Sequence, residues 1–77
     1  MLITILKQIK GMARIDTVGR SIYCLKPKSN HNFYVEVANL DYKKHILTVD
    51  KEYKDNEKVK KLVNELENRG FRIAIAD

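Results

Sequence analysis

Asp55-Asn56-Glu57-Lys58-Val59-Lys60-Lys61-Leu62-Val63-Asn64-Glu65-Leu66-Glu67-Asn68-Arg69-Gly70-Phe71-Arg72-Ile73-Ala74-Ile75-Ala76 reads as a helix that stops on a glycine and runs straight into a strand. Val59, Leu62, Val63 and Leu66 recur at i, i+3, i+4 and i+7, the spacing of one apolar helical face. Asp55 or Asn56 supplies an N-cap oxygen for the first free backbone N–H groups, and Glu57 suits the positive helix start. Arg69-Gly70 marks the stop, with Gly70 able to take the left-handed conformation of a residue just past a helix end. The spacing therefore predicts a helix from about 56 to 69. In residues 71–76 the period changes to two. Phe71, Ile73 and Ile75 share one face, and Ala74 and Ala76 the other. Small side chains there would let another element approach, so this last strand is expected to be covered on both sides.

Working upstream, three alternating runs precede the helix. Residues 21–26 place Ile22 and Cys24 on one side and Tyr23 and Leu25 on the other, and Pro27 ends the run because proline cannot donate to a ladder. Phe33, Val35 and Val37 alternate with Tyr34 and Glu36, which puts Tyr34 on a polar face. Leu47 and Val49 alternate with Ile46, Thr48 and Asp50. Residues 28–32 and 39–44 are rich in turn formers, so an antiparallel meander is expected. A crossover through the helix would then set strand 71–76 parallel to strand 46–50. The N-terminus reads two ways. Leu2, Ile5, Leu6, Ile9, Met12 and Ala13 form a helical stripe, whereas Ile3-Thr4-Ile5 favours a strand. Residues 14–18 offer a further strand, paired with 21–26 through a turn at Val18-Gly19-Arg20. The expected fold is α+β, a small mixed sheet in the order (α or β)-β-β-β-α-β over one domain, residues 1–77.

The chain has 77 residues, 44% of them hydrophobic and 32% charged, an ordinary globular balance. A core this small leaves little spare structure for a deep cleft, which favours a binding module over an enzyme. Cys24 is the one cysteine, so a disulfide framework is excluded and a reducing cytosol fits. Cys24, His31 and His45 are too few for an ordinary four-ligand zinc site, and no cofactor or metal is expected. The apolar opening Leu2-Ile3-Thr4-Ile5-Leu6, followed at once by Lys7, falls far short of a membrane span. A cytoplasmic protein with no membrane partner is therefore expected.

The net charge of +5 is unevenly spread. Residues 1–28 hold Lys7, Lys10, Arg14, Arg20, Lys26 and Lys28 against Asp16 alone, a net +5, while residues 29–50 sum to −1 and 51–77 to +1. A surface of that sign attracts phosphate or an acidic protein. Tyr34 on a strand face suits base stacking or partner anchoring, and Tyr42-Lys43-Lys44 at a turn forms a contact tip. The candidate binding residues are thus Lys7, Lys10, Arg14, Arg20, Lys26, Lys28, Tyr34, Tyr42, Lys43 and Lys44. The lysines of the helix are interleaved with Glu57, Glu65 and Glu67 and read as an ordinary solvated face.

Glu36-Val37-Ala38 and Glu52-Tyr53-Lys54, the latter close to Asp50, touch on an enzyme reading. An α-β-β-β-α-β order resembles the minimal core of restriction-endonuclease-like nucleases, which hold Mg²⁺ with an Asp and an E-x-K on neighbouring strands. Ala38 stands where the metal-site lysine belongs, and Glu52-Tyr53-Lys54 falls after its strand, so a Mg²⁺-dependent nuclease would have a degenerate site. The expectation is a non-enzymatic binding protein, an inhibitor or accessory factor encoded by a phage or mobile element. Its partner is a host nucleic-acid-handling protein or a protein–nucleic-acid complex. The alternative is direct DNA or RNA binding through the N-terminal basic residues and the sheet tyrosines. An unpaired edge strand also offers a route to a homodimer.

Overall fold

The described strands pack one face of their sheet into an apolar core, and the amphipathic helix between the last two supplies cover for it. A computed structural model describes residues 11–26 and 34–76. Strand β1 (Met12–Thr17) turns at Val18-Gly19 into β2 (Arg20–Leu25). Then come β3 (Val35–Asp41), β4 (Ile46–Asp50), a single 3-10 turn at Lys51–Tyr53, helix α1 (Glu57–Asn68) and β5 (Arg72–Ala76). The sheet order follows the chain, β1-β2-β3-β4-β5. The first three pairings are antiparallel, and β5 pairs parallel to β4 across the helical crossover.

The helix forms where the spacing predicted it, for the reasons predicted. Asn56 is the N-cap, and its Oδ1 accepts from the N–H groups of Lys58 and Val59 at 2.9 and 3.3 Å. At the other end Gly70, at φ +90°, donates to the carbonyl of Glu67, and Phe71 N–H donates to that of Leu66. Two orphan carbonyls are thereby satisfied, and Phe71 folds back beside Leu66 in the core, the full arrangement of a glycine-terminated helix. Glu65 and Arg69 form an i, i+4 ion pair at 2.9 Å. Val59, Leu62 and Leu66 pack on Leu40, Leu47 and Val49, all at or near zero exposure.

Three expectations change. First, the expected loop 39–44 is strand up to Asp41, and Leu40 within it is fully buried. The cause is a β-bulge. Tyr23 lies opposite Ala38 and Cys24 opposite Glu36, so Val37 is an extra residue on β3. Val37 and Ala38 are both buried in the core, and the in/out pattern reverses between them. Val35 and Val37 face the helix before the bulge, and Ala38 and Leu40 face it after. Second, Met12 and Ala13 belong to β1 and not to a helical stripe. Met12 sits in the core opposite Leu25, and the additional strand sketched at 14–18 begins at 12 and ends at 17. Residues 2–10, whose helix-or-strand reading was open, and Phe33 lie outside the described residues. Third, β5 is an edge of the sheet among the described residues. Its inner face packs through Ile73, but Ala74 and Ala76 are exposed, so their small size does not mark a covered face.

Leu40 distinguishes the two readings of residues 39–44. In a solvated loop, Leu40→Ala would be nearly silent. In a bulged, buried strand it leaves a cavity that costs about 3 kcal/mol. For a domain of this size that lowers the melting temperature by at least roughly 12 °C, readable by circular dichroism.

Candidate binding surface

The register of the five strands sorts their side chains onto two faces. The face under α1 carries Met12, Arg14 and Asp16 from β1, Ser21, Tyr23 and Leu25 from β2, Ala38 and Leu40, Leu47 and Val49, and Ile73 and Ile75. The other face has no element over it among the described residues. It reads in three rows across the strands. Thr17, Arg20, Asp41, Ile46 and Arg72 lie at the turn end, and Ile15, Ile22, Asn39, Thr48 and Ala74 across the middle. Ala13, Cys24, Glu36, Asp50 and Ala76 lie at the far end.

The candidate basic residues divide between these faces. Arg14 lies on the helix side, its Nε 3.2 Å from Asp16. Arg20 lies on the open side, bound to Asn39 Oδ1 at 3.0 Å and Asp41 Oδ2 at 3.3 Å. Lys26 follows β2 at the far end, its ammonium 5.2 Å from the centre of the Tyr34 ring. Tyr34 is 54% exposed. Lys7, Lys10 and Lys28 lie outside the described residues. Lys43 and Lys44 occupy the β3–β4 turn, exposed and without an ion pair among the described residues.

That turn is held from several directions. Asp41 accepts the backbone N–H of Lys44 through Oδ1 at 3.0 Å, and its carbonyl accepts from His45 N–H at 2.9 Å. Tyr42 N–H donates to Gly19 carbonyl, which ties this turn to the β1–β2 turn. His45 adopts φ 63°, and its carbonyl accepts from Arg72 N–H at 2.9 Å, which fixes the start of β5 beside it. The His45 and Phe71 rings stack at 4.0 Å and 2°. Four basic residues from β2, the β3–β4 turn and β5, Arg20, Lys43, Lys44 and Arg72, therefore lie at one end of the sheet, where Asp41 is paired with Arg20. Arg72 was missed in the sequence. Its partners across the parallel pairing become neighbours only once β5 is placed beside β4.

Tyr42, half-buried, makes a contact within the fold. Its hydroxyl meets Ser21 Oγ, and Ser21 Oγ donates to Asp16 Oδ1 at 2.6 Å. An ionised carboxylate only accepts, so the order is fixed as Tyr42 O–H to Ser21 Oγ, then Ser21 O–H to Asp16, with Arg14 on the same oxygen. Ser21 has no exposed surface, so its hydroxyl is a structural link. Beside it, burial pushes the Tyr23 phenol well above its ordinary range, the neighbouring Tyr42 adds to this, and Arg14 opposes it. The Tyr23 hydroxyl has no hydrogen-bond partner among the described residues.

At the far end Glu36, Asn39, Thr48, Asp50 and Ala76 line a shallow depression. No group of three or more His, Cys, Asp or Glu is placed to hold a metal ion among the described residues. Cys24 is buried on this face, and burial pushes its thiol up, with Glu36 adding to the shift. No described helix is long and apolar enough to cross a membrane.

Two predictions follow from the polar links. Ser21→Ala strips Tyr42 and Asp16 of their shared partner and costs about 1–3 kcal/mol. In the Ser21→Ala/Tyr42→Phe double variant much of that loss is already counted, so a double-mutant cycle in urea reads clear coupling. The Asp41 carboxyl is held below the ordinary range, first by the Lys44 N–H bond and then by the Arg20 charge, against some desolvation. A depressed folded-state pKa stabilises above the unfolded value, near 3.9 for Asp, and that stabilisation fades as pH falls through the folded value. The urea midpoint should therefore fall less between pH 7 and pH 2.5 in Asp41→Asn than in the wild type.

No protein-family model, curated protein or solved structure matches the chain.

Proposed function

We propose that the protein is a non-enzymatic binding module that seats its open sheet face on a partner protein, with the Arg20–Lys43–Lys44–Arg72 end meeting acidic groups there. The observation that carries this reading is the separation of charge along the face. Arg20, Lys43, Lys44 and Arg72 stand at the turn end with Asp41 among them, and Glu36 and Asp50 at the other, where Lys26 follows β2. Short or apolar side chains, Ile15, Ile22, Thr48 and Ala74, lie between. At about 3.4 Å per residue, four residues along β4 separate the two ends by roughly 14 Å. A nucleic-acid duplex lying across the face would meet both carboxylates. Its phosphates would be repelled there, whereas a protein surface with patches of both signs sets basic groups against them, and complementary charge of that kind sets partner choice and orientation.

Small size, an abundance of Lys, Ile and Asn, whose codons are AT-rich, and the basic end fit a phage- or mobile-element-encoded inhibitor or accessory factor. Its target would be a nucleic-acid-handling protein of the host in the cytoplasm. Affinity capture from nuclease-treated host lysate tests this, with wild type beside Lys44→Glu/Arg72→Glu. Both positions are exposed, so the variant keeps its fold. The expected result is a protein retained by the wild type and reduced at least about tenfold on the variant, a loss near 1.4 kcal/mol. Equal retention on both would remove the open face from the reading. Direct binding of wild type to duplex DNA, with a log–log salt slope near −4 for four phosphate contacts, would replace the protein partner with nucleic acid.

A further inference from the structure

We propose that β5 is a dimerisation strand, pairing antiparallel with β5 of a second copy about a two-fold axis through Ala74. Both β1 and β5 have an open side among the described residues, but they differ in how that side is protected. Natural edge strands carry charges, prolines or bulges that discourage pairing. β1 carries Arg14 and Asp16. After Arg72, β5 reads Ile73-Ala74-Ile75-Ala76, with no charge, no proline and no bulge. Ile75 is left 47% exposed.

The hydrogen-bond directions select the register. In a parallel ladder the N–H and C=O of one residue point to the same side, alternating along the strand. Arg72 N–H donates to His45 carbonyl, so Arg72, Ala74 and Ala76 face β4. Ile73 and Ile75 therefore point their N–H and C=O groups out of the open edge. An antiparallel twin centred on Ala74 sets Ile73 opposite Ile75 of the second copy, and Ile75 opposite its Ile73. All four outward groups of each copy are then satisfied. The central pair, Ala74 on Ala74, is the non-hydrogen-bonded kind, where Cα atoms approach to about 4.5 Å and small side chains fit. On the helix side, the exposed Ile75 is covered by the second copy's Ile73. Self-complementarity of this kind is what a two-fold interface requires.

Charge permits the pairing. Arg14 and Arg20 belong to β1 and β2, at least three strand spacings, roughly 14 Å, from β5, and Lys26 directly follows β2. The two Arg72 residues lie at opposite ends of the new seam, also roughly 14 Å apart, beyond the physiological screening length of about 8 Å. Both helices would lie on one side of a continuous sheet and both open faces on the other, whatever those faces bind.

Sedimentation or light scattering over a wide concentration range should show the 9.0 kDa chain passing to twice that mass. Ala74→Lys sets two ammonium groups face to face on the exposed side and should leave a folded monomer by circular dichroism. Oxidised Ala74→Cys should cross-link to a covalent dimer, while Ala76→Cys, which has Arg72 opposite it, should not. The wild type, with Cys24 buried, is the control. A wild type that stays monomeric throughout overturns the proposal and leaves the edge free for an extended peptide of another protein. A dimer unaffected by Ala74→Lys, or cross-linking equally well at 76, overturns it in favour of another surface.

Discussion

One extra residue, Val37, decides which side chains this protein shows to solvent. Without it, the alternation that turns Val35 and Val37 toward the helix would turn Asn39 and Asp41 inward and Leu40 outward. With the bulge, Val37 and Ala38 both enter the core and Leu40 follows two residues later at zero exposure. The core gains a layer against Leu47 and Leu66. The same reversal sends Asn39 and Asp41 to the open face, where they hold Arg20. A bulge also increases local twist, and it lies beside the depression lined by Glu36 and Asp50. Core composition and open-face chemistry thus depend on the same irregularity.

Features carried by local periodicity were legible in the sequence. The helix, its Asn56 cap, its Gly70 stop and the two faces of β2 each follow from a few adjacent residues and a fixed period, and the parallel placement of β5 from the crossover rule. The bulge was not legible. Alternation is an argument about an uninterrupted ladder, and nothing in Val35-Glu36-Val37-Ala38-Asn39-Leu40-Asp41 marks the residue at which pairing slips. Asn39 and Asp41 read as turn formers, although their polar side chains serve equally well on the solvated face of a strand. The basic candidates failed to group for a related reason. A count along the chain places Arg14 and Arg20 together, but six residues in a hairpin put them on opposite faces of the sheet. Arg72, far away in sequence, becomes a neighbour of the 42–45 turn through one backbone hydrogen bond to His45.

The basic end owes its shape to bonds made on both faces of the sheet. On the covered side, the chain from Tyr42 through Ser21 to Asp16 ties the β3–β4 turn to the β1–β2 hairpin. On the open side, Arg20 grips Asp41 and Asn39. Between them, Asp41 fixes the Lys44 amide, and the His45–Phe71 stack joins the turn to the end of α1. Lys43 and Lys44 thus project from a backbone that is already ordered, although their own side chains remain free. Ordering a loop on association is one of the main costs of binding. A turn held in place in advance avoids most of that cost and leaves only side-chain freedom to be lost. The polar network is therefore better understood as a support for the exposed cations than as chemistry of its own. It also accounts for a fully buried serine in a core otherwise made of apolar side chains.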